Sequence, residues 1–484
     1  MSLDLRTPAR HRTVWERSAP DPALVHRALA GTELAAYWLQ DAPAGPTPEQ
    51  LTSATTADLV VVGGGYLGLW TAVLAKRRDP ARSVVLLESE TVGWAASGRN
   101  GGFCEASITH GDENGRTRWP RDQEVLRRLG RQNLDAFARD VDELEVDCQF
   151  ERTGSLTVAV EPHQVPWLAD GSTSPSDLLD AAAVRAEVDS PVVLGARWDR
   201  HDVALLHPAR LARELARVAR DLGVEVFEHS PVTEVVEDKK PSGGRLTVRT
   251  ARAGISAAHV VLATGVFPSL LRRDRLRTVP VYDYVLMTEP LTSAQKASVG
   301  WAHRQGITDL ANQFHYVRLS ADDRILFGGY DAVHHAGGAV RSRYEDNRAS
   351  YERLASHFFT MFPQLEDVRF SHRWGGAIDT CTRFTAYYGT AKAGRLAYAR
   401  GFTGLGVGST RFAAEVLLDL IAGAPTERTE LEMVRRKPLP FPPEPVAALG
   451  VAMTRAALDR ADHRQGHRGL FLRGLDAAGL GFDS

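Results

Sequence analysis

Apolar residues in this chain recur with two different periods, and each switch between them marks a change of element. The segment Asp58-Leu-Val-Val-Val62 is β-branched, uninterrupted and closed by glycines, the pattern of a short parallel strand buried on both faces. A helix over about Leu67 to Arg78 and a second strand from Ser83 to Leu87 complete a βαβ unit. From Pro208 to Leu222 the period changes to that of an amphipathic helix, with Leu211, Leu215, Val218 and Leu222 on one face and Gly223 just past its end. Strands are predicted at Val224–Phe227, Val232–Glu237, Arg245–Arg249 and His259–Ala263, then at Val285–Thr288, His315–Leu319 and Arg324–Gly328. Thr410 to Ile421 reads as a strongly apolar helix. Residues 1–57 are Pro- and Ala-rich with one helical patch, Leu24 to Leu39. The Pro-rich run Lys437–Pro445 is predicted extended, ahead of a final helix near Val446–Asp462. No internal repeat is found.

Leu59 to Ala75 carries no charge over 17 residues, but four of them are glycines and membrane-interface anchors are missing. A buried strand followed by a helix accounts for it better than a membrane span. The 484 residues are 43% hydrophobic and 24% charged, enough for a sizeable core. A net charge of -2 excludes the basic footprint expected of a partner for nucleic acid or an anionic membrane. Cys104, Cys148 and Cys381 are too few and too scattered for a disulfide framework or a metal site. Met1 to Trp15 lacks the apolar core of a signal peptide. These features together predict a cytoplasmic protein without a metal.

The chemistry starts at Gly63-Gly64-Gly65-Tyr66-Leu67-Gly68, which satisfies G-x-G-x-x-G directly after a strand and at the opening of a helix. Gly63 suits the tight turn, Gly65 the approach of a pyrophosphate, and Gly68 close helix–strand packing, with the helix N-terminus facing the phosphate charge. Glu88, 20 residues beyond Gly68, ends the second strand where a carboxylate can accept from a ribose diol. These residues predict a bound dinucleotide. The segment Thr91 to Gly102, with Ser97, Arg99, Asn100, Gly101 and Gly102, is small, polar and able to lie against a flat ring, which a plain NAD enzyme does not need. Near the other end, Gly401-Phe-Thr-Gly404-Leu-Gly406-Val-Gly408-Ser409-Thr410 offers a glycine-flanked helix start. Its N–H groups suit the negative charge of a reduced flavin near N1 and the C2 carbonyl.

On these motifs the chain resembles the glycine/D-amino-acid-oxidase superfamily of FAD enzymes, and in particular the γ-glutamylputrescine oxidase-like group, which shares a Ser-Gly-Arg-Asn-Gly-Gly segment like Ser97–Gly102. The resemblance runs from about Asp58 to Gly423 and includes His207-Pro208, Val232 in the strand expected to meet the adenine, and Ala263-Thr264-Gly265. It implies an α/β fold with an α+β insert: a discontinuous Rossmann-like FAD-binding domain (58–155, 200–280 and 375–436) and an inserted antiparallel-sheet substrate domain (156–199 and 281–374). Residues 1–57 and 437–484 would be extensions. It also implies oxidation of a C–N bond in a small amine, with hydride passed to flavin N5 and the resulting imine hydrolysed to a carbonyl. The flavin carries that chemistry, so no obligatory acid–base residue is expected.

Pocket candidates are Phe103, His315, Tyr316, Arg318 and Trp374, with Tyr330 and His372 weaker. Two departures from the resemblance narrow the substrate and the acceptor. The arginine of the amino-acid oxidases is missing from Trp374-Gly-Gly-Ala-Ile-Asp379, which, among primary or secondary amines, polyamine conjugates and amino acids, favours an amine or polyamine conjugate over an α-carboxylate substrate. The oxygen-activating lysine of sarcosine-oxidase relatives is missing from Arg324–Gly329, leaving oxygen or another electron acceptor open. Cys381 lies off the position at which some relatives bond their flavin, so non-covalent FAD is expected. An NAD-dependent dehydrogenase and a non-catalytic FAD-binding electron-transfer subunit are the alternatives.

Overall fold

The computed structural model describes residues 10–169, 176–237 and 244–481. The first nine residues of the segment read against a signal peptide therefore lie outside it, as do the last three of the C-terminal extension. The rest is built on two large sheets. The first has a parallel centre in the order Leu396–Arg400, Gly254–Leu262, Thr55–Val62, Val84–Leu87, Val224–Phe227. An antiparallel hairpin (Val232–Glu237 with Leu246–Thr250) and the strand Tyr387–Ala391 extend it. Leu59 and Val61 pack on one face, Val60 and Val62 on the other, so the unbroken apolar run is read correctly as a strand buried on both sides. The helices Tyr66–Arg78, Pro208–Asp221 and Gly406–Ala422 cover one of those faces.

Gly254–Leu262 begins five residues before the predicted start. Its first half alternates, with Ile255 and Ala257 buried between more open positions, because there it pairs antiparallel with the hairpin on one edge and parallel with Thr55–Ala57 on the other.

The second sheet has nine strands in the order Glu33–Leu34, Phe370–Thr380, Val279–Thr288, Ile325–Gly329, His315–Leu319, Gly306–Asp309, Ser155–Ala159, Gly195–Asp199, Ser176–Asp180. All neighbours are antiparallel except at Glu33–Leu34 and between Gly306–Asp309 and Ser155–Ala159. One face is packed by the helix Arg348–Met361, through Tyr282, Tyr284, Leu286, Val317, Phe327 and Phe358. The other face meets the dinucleotide-binding part of the molecule.

The helical patch expected over Leu24 to Leu39 is not one helix. It breaks into Pro22–Leu29, the strand Glu33–Leu34 and the helix Tyr37–Asp41. Thr32 Oγ1 bonds the carbonyls of Leu29 and Phe370, and the strand pairs with His372 and Arg373, so sheet pairing overrides the local helical period. The Pro-rich run carries no helix or strand and ends in a turn at Glu444–Pro445, and the helix Val446–Asp462 forms where predicted. No helix among the described residues is long and apolar enough to cross a membrane.

The two sheets are joined along residues 99–102. Trp374 Nε1 donates to the carbonyl of Arg99 at 2.8 Å, and Trp38 Nε1 to that of Asn100 at 3.0 Å. Arg318 Nη1 reaches the carbonyls of Gly101 and Gly102 at 3.3 and 3.4 Å, and that of Leu206 at 2.6 Å.

Candidate active site between the two sheets

The first βα turn is as tight as its glycines require. Gly63 has φ +114°, and a Cβ there would collide with the Ala263 carbonyl; one at Gly68 would collide with the carbonyl of Gly63. At Gly65 a Cβ would sit 2.9 Å from Ser97 Oγ, and that hydroxyl accepts the first helical N–H, of Tyr66, at 3.0 Å. Glu88 is buried at the end of its strand. Its carboxylate accepts from Gly64 N at 2.6 Å, Glu90 N at 2.9 Å and Trp94 Nε1 at 3.0 Å, which fixes it beside the turn where a ribose would sit.

Two stretches of backbone are open, one beside that turn and one at the start of the Gly406–Ala422 helix. A Cβ on Gly265 or Gly404 would meet nothing within 4 Å, and one on Gly406 only Phe402 Cβ at 3.9 Å. Gly404 has φ +90° and leads into the helix Gly406–Ala422, whose first N–H groups have no intrahelical acceptor. Beneath this turn Asp379 accepts from Gly401 N at 2.6 Å, and burial pushes its carboxyl up to about 6. Open glycines at both ends, a helix N-terminus at each and the fixed Glu88 fit an extended, anionic dinucleotide such as FAD.

Other predicted cofactor residues are occupied within the protein. Ser409 Oγ bonds the carbonyl of Leu405 at 2.5 Å and Thr410 Oγ1 that of Val407 at 3.2 Å, while a Cβ on Gly408 would press on Glu105 O at 2.7 Å. Asn100 braces its own turn, accepting from Gly102 N at 2.8 Å and donating to Ala96 O and Ser97 O at 3.0 Å. Arg99 pairs with Glu345 at 2.5 Å and donates to Trp94 O at 2.9 Å. Thr264 follows the Gly254–Leu262 strand, beside Gly265. Val232 opens the hairpin strand opposite Thr250.

The pocket candidates divide by the two-residue period of their strands. Tyr316 and Arg318 face the dinucleotide side; His315 and Val317 face the helix-covered core. Tyr316 Oη donates to Asp283 at 2.5 Å, and its ring lies 6.1 Å from that of Phe103. Arg318 is buried and bound to carbonyls as given above, and burial lowers its pKa to about 9. Trp374 is likewise a buried tie between the sheets. His315 is held by Asp309 at 2.6 Å and His357 at 2.9 Å, under Trp15 and stacked on Tyr330. His372 bonds Gln40 and Ser371 at the sheet edge. Of the seven, Phe103 and Tyr316 are brought together on the space between the sheets.

Three polar residues on that side were missed in the sequence. Asp283 lies deep yet keeps part of its surface open, and burial pushes its carboxyl up to about 6. Glu105 lies two residues beyond Phe103 on the same strand face, and burial pushes it up to about 7. His110 sits 3.1 Å from the Thr403 carbonyl, beside Gly404, its pKa lowered by burial. The signal for the first two was there: a lone acid in the apolar run Phe-Cys-Glu-Ala and another between the tyrosines 282 and 284. Among the described residues no cluster of His, Cys, Asp or Glu could hold a metal ion.

A parallel sheet with a glycine turn and a strand-end acid, tied along residues 99–102 to a large mixed sheet, has the architecture of flavin-dependent oxidoreductases. Residues 58–420 match the DAO family, described as FAD dependent oxidoreductase, and the chain belongs to it. It is 30% identical over 397 residues to the γ-glutamylputrescine oxidoreductase of Escherichia coli, covering 78% of this chain and 86% of that one. To the probable oxidoreductase OrdL of Haemophilus influenzae it is 27% identical over 387 residues, 77% of this chain and 84% of the other. Among solved structures, glycine oxidase from Geobacillus kaustophilus superposes with a TM-score of 0.65 at 20% identity, over 80% of this chain and 99% of that one. The chain is therefore an FAD-dependent enzyme, and the NAD-dehydrogenase alternative falls.

Proposed function

We propose that this enzyme oxidises a C–N bond of a small cationic amine, holding its FAD non-covalently. The observation that carries the proposal is the charge of the wall facing the glycine cradles. It bears a carboxylate, Asp283, oriented by the Tyr316 hydroxyl, while its arginine, Arg318, is spent on backbone carbonyls. An ammonium is attracted there and an α-carboxylate is repelled. FAD, which the Gly63–Gly68 turn, Glu88 and the Gly404–Gly406 turn would hold, would supply the two-electron acceptor for oxidation of the amine to an imine, which water would hydrolyse to a carbonyl.

The chain's own residues do the rest. Tyr316 orients the Asp283 carboxylate, which meets the substrate ammonium and can accept its proton, since only the neutral amine gives up hydride. Phe103 and Tyr316 present ring faces that exclude water and suit a cation. Buried Cys381, whose thiol donates to Thr385 O at 3.1 Å, is turned to backbone, which supports a non-covalent cofactor. The free, buried cysteines support a cytoplasmic setting.

The test is an anaerobic visible spectrum of the holoenzyme titrated with amines and with amino acids. Bleaching by amines and not by amino acids of equal length is expected; bleaching by amino acids alone would overturn the reading. Readmitting air then shows whether oxygen or another acceptor reoxidises the flavin.

A further inference from the structure

We infer that the outward face of the helix Val446–Asp462 is a two-fold interface, and that its occupant is the same helix of a second copy of this chain, run antiparallel.

The helix lies beyond residues 58–420, the part shared with the DAO family, so the family fold does not account for its surface. Its inner side is fastened to the substrate half. Ala447 and Ala461 are buried. Arg455 pairs with Asp331 at 2.9 Å, and Asp462 accepts from Asn312 N at 3.0 Å, Asn312 Nδ2 at 2.7 Å and Gln313 N at 3.2 Å. Just ahead of the helix, Glu444 pairs with His334 at 2.8 Å. A helix held this way presents one fixed side to solvent, and that side is apolar. Val446, Leu449 and Met453 are 57%, 62% and 48% exposed, and Gly450, Ala452 and Ala456 are exposed as well. No charged residue occurs between Glu444 and Arg455. Among the described residues, six of the eleven exposed large hydrophobic residues follow residue 437 and the other five are scattered. Single exposed hydrophobics are ordinary, whereas a row of them on one helix marks a surface that something covers.

Spacing and charge say what covers it. Val446, Leu449, Met453 and Ala456 follow one another at intervals of three, four and three, the seam of a two-helix coiled coil. In an antiparallel pair with its axis near Val451 and Ala452, Met453 of one copy packs on Leu449 of the other, and Val446 on Ala456. The same register carries Arg460, exposed and without a side-chain partner among the described residues, to within a turn of Glu444 of the other copy. Opposite charges therefore meet at both ends, and the centre holds no charge to be set against its own image. A surface that binds itself must satisfy both conditions. A lipid surface suits it less, because Asp459 and Asp462 accompany Arg455 and Arg460 where an interfacial helix carries a basic collar. Leu470 and Phe471, 82% and 41% exposed on the next helix, enlarge the apolar surface of this end of the chain towards the roughly 800 Å² per copy of a stable interface.

The experiment is sedimentation velocity of the FAD-loaded protein from submicromolar to tens of micromolar concentration. A species of twice the chain mass is expected. Leu449→Glu and Met453→Glu each bury a carboxylate in the seam and should weaken dimerisation about a hundredfold or more. Both side chains face solvent in the single copy, so flavin content should be kept, which reports that each variant is folded. Arg460→Glu sets like charges together at both ends and should weaken the dimer by about threefold to tenfold, more at low salt than at high. Ala452→Cys, beside the axis, should join two chains by a disulfide on mild oxidation, the native cysteines being buried. A monomer at every concentration overturns the inference, as does a dimer that survives both glutamate variants and leaves Ala452→Cys unlinked. Flotation of the native protein with anionic vesicles, lost in Leu449→Glu, would make lipid the occupant and overturn it too.

Discussion

A single atom change at Glu105 has a consequence for stability that can be measured without any substrate. Burial raises the carboxyl from its ordinary value of 4.5 to about 7, so between those values the folded protein holds a proton that the unfolded chain has released. Stability therefore falls as pH rises from 4.5 and is fully lowered above about 7. At about 1.4 kcal/mol per unit, the cost at pH 8 is on the order of 3 kcal/mol. Glu105→Gln keeps the shape and removes the titration, so it should be no more stable than the native protein near pH 4.5 and progressively more stable towards pH 8. For 484 residues an unfolding entropy of about 2 cal/mol/K per residue converts that gain into a melting midpoint higher by about 3 °C. The assay is thermal release of flavin, followed by its fluorescence, at half-unit steps from pH 5 to pH 8 (approximate bounds set by the two ionisation values). The reasoning is refuted if the difference between variant and native protein is independent of pH, or if the variant is less stable at pH 8, since either means the carboxylate has a partner in the fold.

Three further outcomes follow from the same geometry. Gly63→Ala must force a side chain into the Ala263 carbonyl at φ +114°, so the purified variant should carry less than about a tenth of its FAD and lose about 1–3 kcal/mol of stability, read as the flavin-to-protein ratio and the melting midpoint. Asp283 is ionised only above about 6, so kcat/KM for a monoamine should fall as pH drops through that value. Asp283→Asn should lower kcat/KM about tenfold or more and flatten that limb, and a limb that survives in the variant assigns it to another group. Trp374→Phe removes the Nε1–H donor to the Arg99 carbonyl and leaves that acceptor buried. About 1–2 kcal/mol of stability should go with it, seen in urea unfolding and as weaker retention of FAD on dilution.

Glycines and apolar periods made the dinucleotide half legible in the sequence, because there the local pattern and the long-range structure agree. Val60 to Val62 are buried on both faces, Gly63 needs its turn, and Glu88 follows at the spacing that one helix and one strand impose. The substrate half was read less well. The strands Ser155–Ala159 and Gly195–Asp199 are five residues each and gain their place by pairing with Gly306–Asp309 and with one another, information that no local window contains. His315 and Tyr316 show the limit for side chains. Both stand in a correctly placed strand, but adjacent residues point to opposite faces, and which face meets the flavin side depends on the helix Arg348–Met361 covering the other. The aromatic residues drew attention by size, whereas the two acids whose carboxyls burial raises, Asp283 and Glu105, each looked like an isolated polar residue in an apolar run.

The segment 99–102 explains why cofactor site and substrate wall can be held to one geometry although they come from different sheets. Its carbonyls receive Trp374, Trp38 and Arg318 from the second sheet and the N-terminal helix. Asn100 donates to Tyr66 Oη and to the carbonyls of Ala96 and Ser97 beside the dinucleotide turn, Arg99 pairs with Glu345, and Gly101 passes directly under Tyr316. A displacement of this segment therefore moves the ring-facing surface and the Asp283–Tyr316 pair together. Arg318 shows the energetic side of that arrangement. A guanidinium is costly to bury, and here it is satisfied by backbone carbonyls of both halves and not by a carboxylate. That choice leaves Asp283 held by the Tyr316 hydroxyl and the Tyr284 N–H, with no cation paired to it among the described residues.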